Sequence, residues 1–135
     1  MSKTEHVHTI IENMLDIQKY SQKFVSMIIA EEQLSQLQVV LLFELKKQGS
    51  MKASEIAELF QVTPGAVTSM CDKLEHRSLI QRTRDAKDRR IVKMILTDQG
   101  EKKLQALFHK FPDEKVEKMV ETLAQVKKLM ANMIE

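Results

Sequence analysis

Residues 63–100 read TPGAVTSMCDKLEHRSLIQRTRDAKDRRIVKMILTDQG, and two structural periods meet inside them. Thr63-Pro64 is a helix start: a hydroxyl able to cap the first free amides, then a proline whose fixed φ suits the first turn. The helix runs to about His76, with Val67, Met70, Cys71 and Leu74 on an inner stripe. Gly65, Ala66, Thr68, Ser69, Asp72, Lys73 and Arg77 fall on its outer face. Past Ser78 the period changes. Ile80 to Arg84 and Ile91 to Leu96 carry β-branched residues in partial alternation, with Val92, Met94 and Leu96 on one side. Between them DAKD (85–88) is turn chemistry, because Asp85 and Asp88 can accept from nearby backbone amides. Upstream, Ala53 to Phe60 spells a short amphipathic helix with Ile56, Ala57, Leu59 and Phe60 inward, and Gln61-Val62 leaves room only for a tight turn. Two short helices joined so closely and followed by a hairpin predict a winged helix-turn-helix.

Working outward, Leu37 to Leu45 is apolar almost all round, which predicts a buried central helix, and Gly49 follows as its stop. Apolar residues at 7, 10, 11, 14, 17, 24, 25 and 28 predict one long helix from Val7 to Ile29. On the other side, Thr97 caps a helix that opens with Asp98 and Glu101, favourable at a positive helix end. Phe111-Pro112-Asp113 breaks it, and Val116, Met119, Val120, Leu123, Val126, Met130 and Met133 form the stripe of a last helix. The fold class expected is mainly α with a small β-hairpin wing. Its parts are an N-terminal helix (1–36), a winged helix-turn-helix lobe (37–100) and C-terminal helices (101–135).

The charge is unevenly placed. All five arginines of the 135-residue chain, Arg77, Arg82, Arg84, Arg89 and Arg90, lie within fourteen positions. Residues 63–93 hold eight Lys/Arg against four Asp/Glu, a net of +4, and the rest of the chain nets −2. One basic face on a slightly acidic body is the footprint of a polyanion binder. A solvated charged loop is the plainer alternative. Hydrophobic content of 43% is enough for a core. No apolar run approaches the roughly 20 residues that span a bilayer, and the polar start MSKTEHVHTIIENML argues against a secretory signal. With one cysteine and no internal disulfide, the expected location is the cytoplasm. There is no glycine-rich phosphate loop, metal-ligand spacing or nucleophile with a base, so no enzymatic role, cofactor or metal is expected.

In a winged helix the recognition helix enters the major groove, and the hairpin tip reaches the neighbouring minor groove. Small residues near the start of that helix (Pro64, Gly65, Ala66, Thr68, Ser69) permit close approach. Arginines at the tip suit a narrow, strongly negative minor groove, and Asp88 makes sense as the partner that holds one of them.

The stretches SEIAELFQVTPGAVTSMCDKLEHRSLIQR and DRRIVKMILTDQG resemble the MarR (multiple antibiotic resistance regulator) family of bacterial transcription factors, over about half the chain. The resemblance implies a homodimer built from the first and last helices, a palindromic double-stranded DNA operator, and repression relieved by a small ligand. By position it makes Thr63 to His76 the recognition helix, with Thr68 and Ser69 contacting bases or phosphates. Asp88 becomes the wing aspartate, Arg90 the minor-groove arginine and Arg89 a phosphate contact. The full candidate interface is Thr63, Pro64, Gly65, Ala66, Thr68, Ser69, Lys73 and Arg77 on the helix, with Arg82, Arg84, Lys87, Asp88, Arg89 and Arg90 on the wing. Arg77, Arg82 and Arg84 are expected to line the approach to phosphate, and Asp85 to shape the turn. Two positions depart from the family pattern: Ser78 stands where a glycine is usual, and Lys52 where a threonine cap is common.

Other readings are weaker. Cys71 could sense oxidants, but the sensing cysteine of such relatives lies in the first helix, which has none here, so Cys71 reads as packing. Glu31, Glu32 and His109 could converge on a metal, without a compact ligand pattern; four ordinary histidines are simpler. Met14, Met119, Met130 and Met133 could line a ligand pocket, though at helical spacing they fit core or dimer interface. The competing function is a winged-helix protein-interaction module without specific DNA binding, which would not need arginines gathered on a hairpin tip.

Overall fold

The computed structural model describes residues 1–135, Ala30 by its backbone alone. Six helices and three short strands follow one another: α1 (Lys3–Ile29), α2 (Gln36–Gln48), β1 (Met51–Lys52), α3 (Ala53–Phe60), α4 (Pro64–His76), β2 (Ile80–Arg84), β3 (Val92–Leu96), α5 (Asp98–His109) and α6 (Val116–Ile134). A 3-10 turn at Ala30–Glu32 and the left-handed Gln33 (φ 56°) join α1 to α2. Ser35 begins α2 with reciprocal bonds: its Oγ accepts from the Gln38 amide at 3.2 Å, and its own amide donates to Gln38 Oε1 at 2.9 Å. Gly49 ends α2 at φ 87°, its amide donating to the Leu45 carbonyl at 2.8 Å. Glu55 reaches back to the Lys52 amide at 2.9 Å, which starts α3 without the hydroxyl that lysine lacks.

The sheet has the order β1-β3-β2, antiparallel throughout. Register runs from Ile80 opposite Leu96 to Arg84 opposite Val92, with Met51 opposite Met94 on the other edge. β1 was not expected; two residues are too few to show any period.

The core gathers α2 (Leu41, Leu42, Leu45), α3 (Ile56), α4 (Val67, Cys71, Leu74), the sheet (Ile80, Met94) and α5 (Leu104, Leu107). Two expectations need correcting. α2 is not buried all round, because Leu37 and Phe43 are exposed, Phe43 meeting Phe108 edge-on at 6.5 Å. Leu59 also points outward, leaving Ile56, Ala57 and Phe60 to hold α3. In both helices one turn is covered on one side only, and apolar side chains on the far side have nothing to meet.

Helix α4 ends in a six-to-one turn. The Leu79 amide donates to the Leu74 carbonyl at 3.0 Å and the Ser78 amide to Glu75 at 2.9 Å, with Ser78 at φ 63°. The turn therefore keeps the geometry a glycine would favour, and Ser78 adopts it despite its Cβ. Thr97 ties that turn to α5. Its hydroxyl donates to the Ser78 carbonyl at 2.5 Å, its amide donates to the Leu79 carbonyl at 3.1 Å, and Oγ1 accepts from the Gly100 amide at 3.0 Å. A Cβ on Gly100 would stand 2.1 Å from the Leu79 carbonyl oxygen. The Leu-Thr-x-x-Gly run thus closes a backbone-to-backbone contact that holds α5 against the lobe.

The arms behave differently. Only Ile28 and Ile29 of α1 are buried, and no residue of α6 is.

Candidate nucleic-acid interface

Helix α4 presents its N-cap Thr63 and, in its first half, Pro64, Gly65, Ala66, Thr68 and Ser69 to solvent. Thr63 Oγ1 caps it by accepting from the Ala66 amide at 3.1 Å. The Thr68 hydroxyl donates to the Pro64 carbonyl at 3.1 Å, so outward it offers an acceptor and a methyl group. Gly65 is not small for any internal reason: a Cβ there would meet only Thr63 Oγ1, at 3.9 Å. Lys73, on the same exposed side, makes no ion pair among the described residues.

The wing tip is built by two aspartates. Asp85 Oδ2 accepts from the amides of Lys87 (3.0 Å) and Asp88 (2.9 Å), and Oδ1 pairs with Lys93 Nζ at 3.0 Å. Lys93 and those two amides hold its carboxyl below the usual aspartate range. Asp88 grips Arg90 three times: Oδ1 accepts from the Arg90 amide (3.1 Å) and Nε (3.0 Å), and Oδ2 from Nη2 (3.0 Å). The Arg90 side chain, followed by its amide, lowers the Asp88 pKa. Arg90 is nevertheless 90% exposed, so its guanidinium is aimed without being covered. Lys87 and Arg89 are exposed beside it and make no ion pair among the described residues.

Three arginines do more inside the protein than the sequence suggested. Arg82 is clamped between Asp72 (2.8 Å) and Glu75 (2.7 Å) of α4, and its amide donates to Glu75 as well (3.1 Å), fastening β2 to the recognition helix. Arg77 donates to the carbonyls of Gln33 (2.9 Å) and Glu32 (3.0 Å) in the α1–α2 junction. Arg84 donates to the Arg89 carbonyl at 2.7 Å, bracing the tip while staying exposed. Arg77 and Arg82, both half-buried, thus each commit two guanidinium donors to their own chain, while the exposed Arg84 commits one. Sequence reasoning gave Asp72 and Glu75 no pairing role and considered Glu32 only as a metal ligand. Asp72 and Glu75 at i, i+3 were visible as a paired acidic edge facing the cationic strand.

Cys71 is 1% exposed, and burial pushes its thiol pKa up, so it stays protonated and packs. The Glu32 carboxylate, one of the three groups considered for a metal, is held by Lys103 and Lys110. Among the described residues no cluster of three His, Cys, Asp or Glu side chains is placed to hold an ion. No described helix is long and apolar enough to cross a membrane. A groove of about 940 Å³, open to solvent, runs between the start of α2 and the recognition helix, past Gln33, Leu37, Ala66, Ser69 and Met70. Of the four methionines weighed between pocket and interface, none lines this groove: Met14, Met130 and Met133 are exposed on the arms and Met119 is half-buried.

The lobe and the whole fold are similar to those of known proteins. The family model "MarR family" matches residues 34–92, the lobe from the junction to β3. The HTH-type transcriptional repressor MdtR of Bacillus subtilis is 52% identical over 50% of this chain, and the chain spans only 44% of that repressor's length. The HTH-type transcriptional regulator YhbI of Bacillus subtilis is 31% identical over 75% of this chain and 68% of its own. A mutant MarR from E. coli, solved in complex with operator DNA, superposes with a TM-score of 0.78 over the whole of both chains at 14% identity, a likeness of fold. Its relatives are transcriptional regulators, and the chain belongs to the MarR family.

Proposed function

We propose that the protein is a sequence-specific double-stranded DNA-binding regulator, a repressor, that acts as a homodimer on a palindromic operator and has no enzymatic role. The observation that carries this reading is the wing tip. Asp88 orients Arg90 through three bonds yet leaves it 90% exposed, and at the start of α4 Gly65 answers no internal need. A side chain held in one direction and left uncovered is preorganised for something outside the chain, and a guanidinium in a narrow minor groove meets strong negative potential. Thr63, Pro64, Gly65, Ala66, Thr68, Ser69 and Lys73 then face the major groove, with Arg84, Lys87, Arg89 and Arg90 along the wing.

The dimer follows from the arms. Leu129 is 66% exposed, Met133 74% and Ile134 88%, on a helix with no buried residue, and Ile10, Ile11 and Met14 of α1 are exposed as well. Apolar stripes of this length on two helices ask for a second copy, which gives two wings and a two-fold operator. Domain roles divide the same way, with α1 and α6 joining the copies and residues 37–100 reading DNA. A small apolar ligand in the groove beside α4 would press on Ala66 and Ser69 and relieve binding.

The test is selection of bound duplexes from a random pool, then titration of the winner. An enriched palindrome with half-sites about one helical turn apart supports the reading. Arg90→Ala is expected to weaken it by about 1–3 kcal/mol. No enrichment at low salt, together with a salt-insensitive protein complex, would instead favour an interaction module.

A further inference from the structure

Arg77 reaches out of the winged lobe toward the root of the arms. α1 ends without a basic residue in its last turn, and so does the 3-10 turn that follows, although a helix C-terminus is the negative end of its dipole. The left-handed Gln33 then turns the chain away, and the carbonyls of Glu32 and Gln33 find their donors on the guanidinium of Arg77, 45 and 44 residues further along. The same Glu32 uses its carboxylate on α5: Oε2 meets Lys103 at 2.6 Å and Oε1 meets Lys110 at 2.8 Å. Lys110 is the C-cap of α5, immediately before the break that leads to α6. One node therefore joins the C-cap of the recognition helix to the points where both arms enter the lobe.

We infer that Arg77 is a positioning residue: through the Glu32 and Gln33 carbonyls it locks the end of the recognition helix to the root of the arms, and so sets the distance between the two recognition helices of the dimer. This rests on the proposed DNA-binding homodimer. The first half of α4 is held by Val67 in the lobe core, and the hydrogen bonds that tie α4 to the α1–α2 junction stand at its far end, on Arg77. Half-sites one helical turn apart tolerate little error in the direction of α4, since a tilt at the C-cap displaces the N-terminal residues most. A planar fork on two adjacent carbonyls fixes angle as well as distance. A lysine ammonium in its place is a point charge and fixes neither.

The experiment compares wild type, Arg77→Ala and Arg77→Lys as full-length chains on the selected operator, on versions with its half-sites moved by one or two base pairs, and across a salt series. Both variants are expected to lose at least tenfold in affinity at the native spacing and to prefer that spacing over the shifted ones much less than wild type does. The salt slope should stay unchanged, because no phosphate contact is removed. A slope lowered by about one unit in Arg77→Ala makes Arg77 a phosphate contact and overturns the inference. Full recovery by Arg77→Lys, or an unaltered spacing preference, overturns it too. Amide exchange of the DNA-free chain gives an independent reading: the amides of residues 77–79 and of the junction are expected to exchange at least tenfold faster in both variants. Unchanged exchange sinks the lock. If wild type binds no duplex at all, the DNA-binding proposal fails, and the exchange result still decides whether the lock exists.

Discussion

The lobe and the arms are made of similar residues and meet opposite fates. Residues 34–107 bury nearly every aliphatic side chain that α2, α4 and the sheet turn toward one another, while α1 and α6 leave Ile10, Ile11, Leu123, Val126 and Leu129 in solvent. The difference lies in what stands opposite. Short elements joined by tight turns fold back on each other, whereas long helices leaving a compact lobe meet no second surface within one chain. An apolar stripe is thus a core when its own chain returns to it and an interface when it does not.

The strongest way to break this contrast is a charge on the arm. Leu123→Asp is expected to weaken dimerisation by about 3–5 kcal/mol, from lost apolar burial and a carboxylate forced into an apolar seam. Sedimentation should show monomers that keep their helicity; a dimer of unchanged stability would mean the seam lies elsewhere. Inside the lobe the matching test is Gly100→Ala. Its Cβ meets the Leu79 carbonyl oxygen at 2.1 Å, and the backbone shift it forces should cost about 1–3 kcal/mol in urea unfolding. Gly65→Ala is its control, expected to leave unfolding unharmed and to weaken the operator complex. Equal stability loss in both glycine variants would refute the distinction between them.

Where arm meets lobe, acid is the probe. Hydrogen bonds from Lys103, then Lys110, lower the Glu32 pKa from its ordinary 4.5 to about 2. Because the folded value lies below the unfolded one, the carboxylate stabilises the fold above pH 4.5, and that contribution disappears as pH falls toward 2. Glu32→Gln should cost about 1–2 kcal/mol near neutral pH and flatten the acid limb of the stability profile. A limb of the same steepness in the variant would remove Glu32 from the account. The smallest effect is expected at Ser78→Gly, which relieves the left-handed Cβ at φ 63° and should gain about 0.5–1 kcal/mol. A loss there would show that the serine side chain compensates for its own strain.

Much of this was legible in the chain. Thr63-Pro64 marked the start of α4 to the residue, because capping is local chemistry, and the hairpin strands appeared from their alternation. β1 did not, since its two residues belong to the sheet only through β3, some forty positions away. Ser78 was seen to depart from the family glycine, but whether the turn would relax or hold could not be read, because the Leu74 and Glu75 carbonyls and Thr97 hold it from outside. Leu37, Phe43 and Leu59 were misplaced for a related reason: an apolar residue is buried only if something covers it, and periodicity says which face it is on without saying what lies there.

The arginines show the division most clearly. Their clustering, the turn chemistry of Asp85 and Asp88, and the pairing of Asp88 with one of its neighbouring arginines are short-range facts that could be read along the chain. Which arginines remain available was decided by the tertiary structure. Arg82 is neutralised by two carboxylates of α4, Arg77 is drawn to carbonyls 44 and 45 residues away, and Arg90 is held by its neighbour yet left in solvent. A guanidinium carries the same charge in every setting, but its donors go to whatever acceptors the fold brings within about 3 Å, and that is a property of packing.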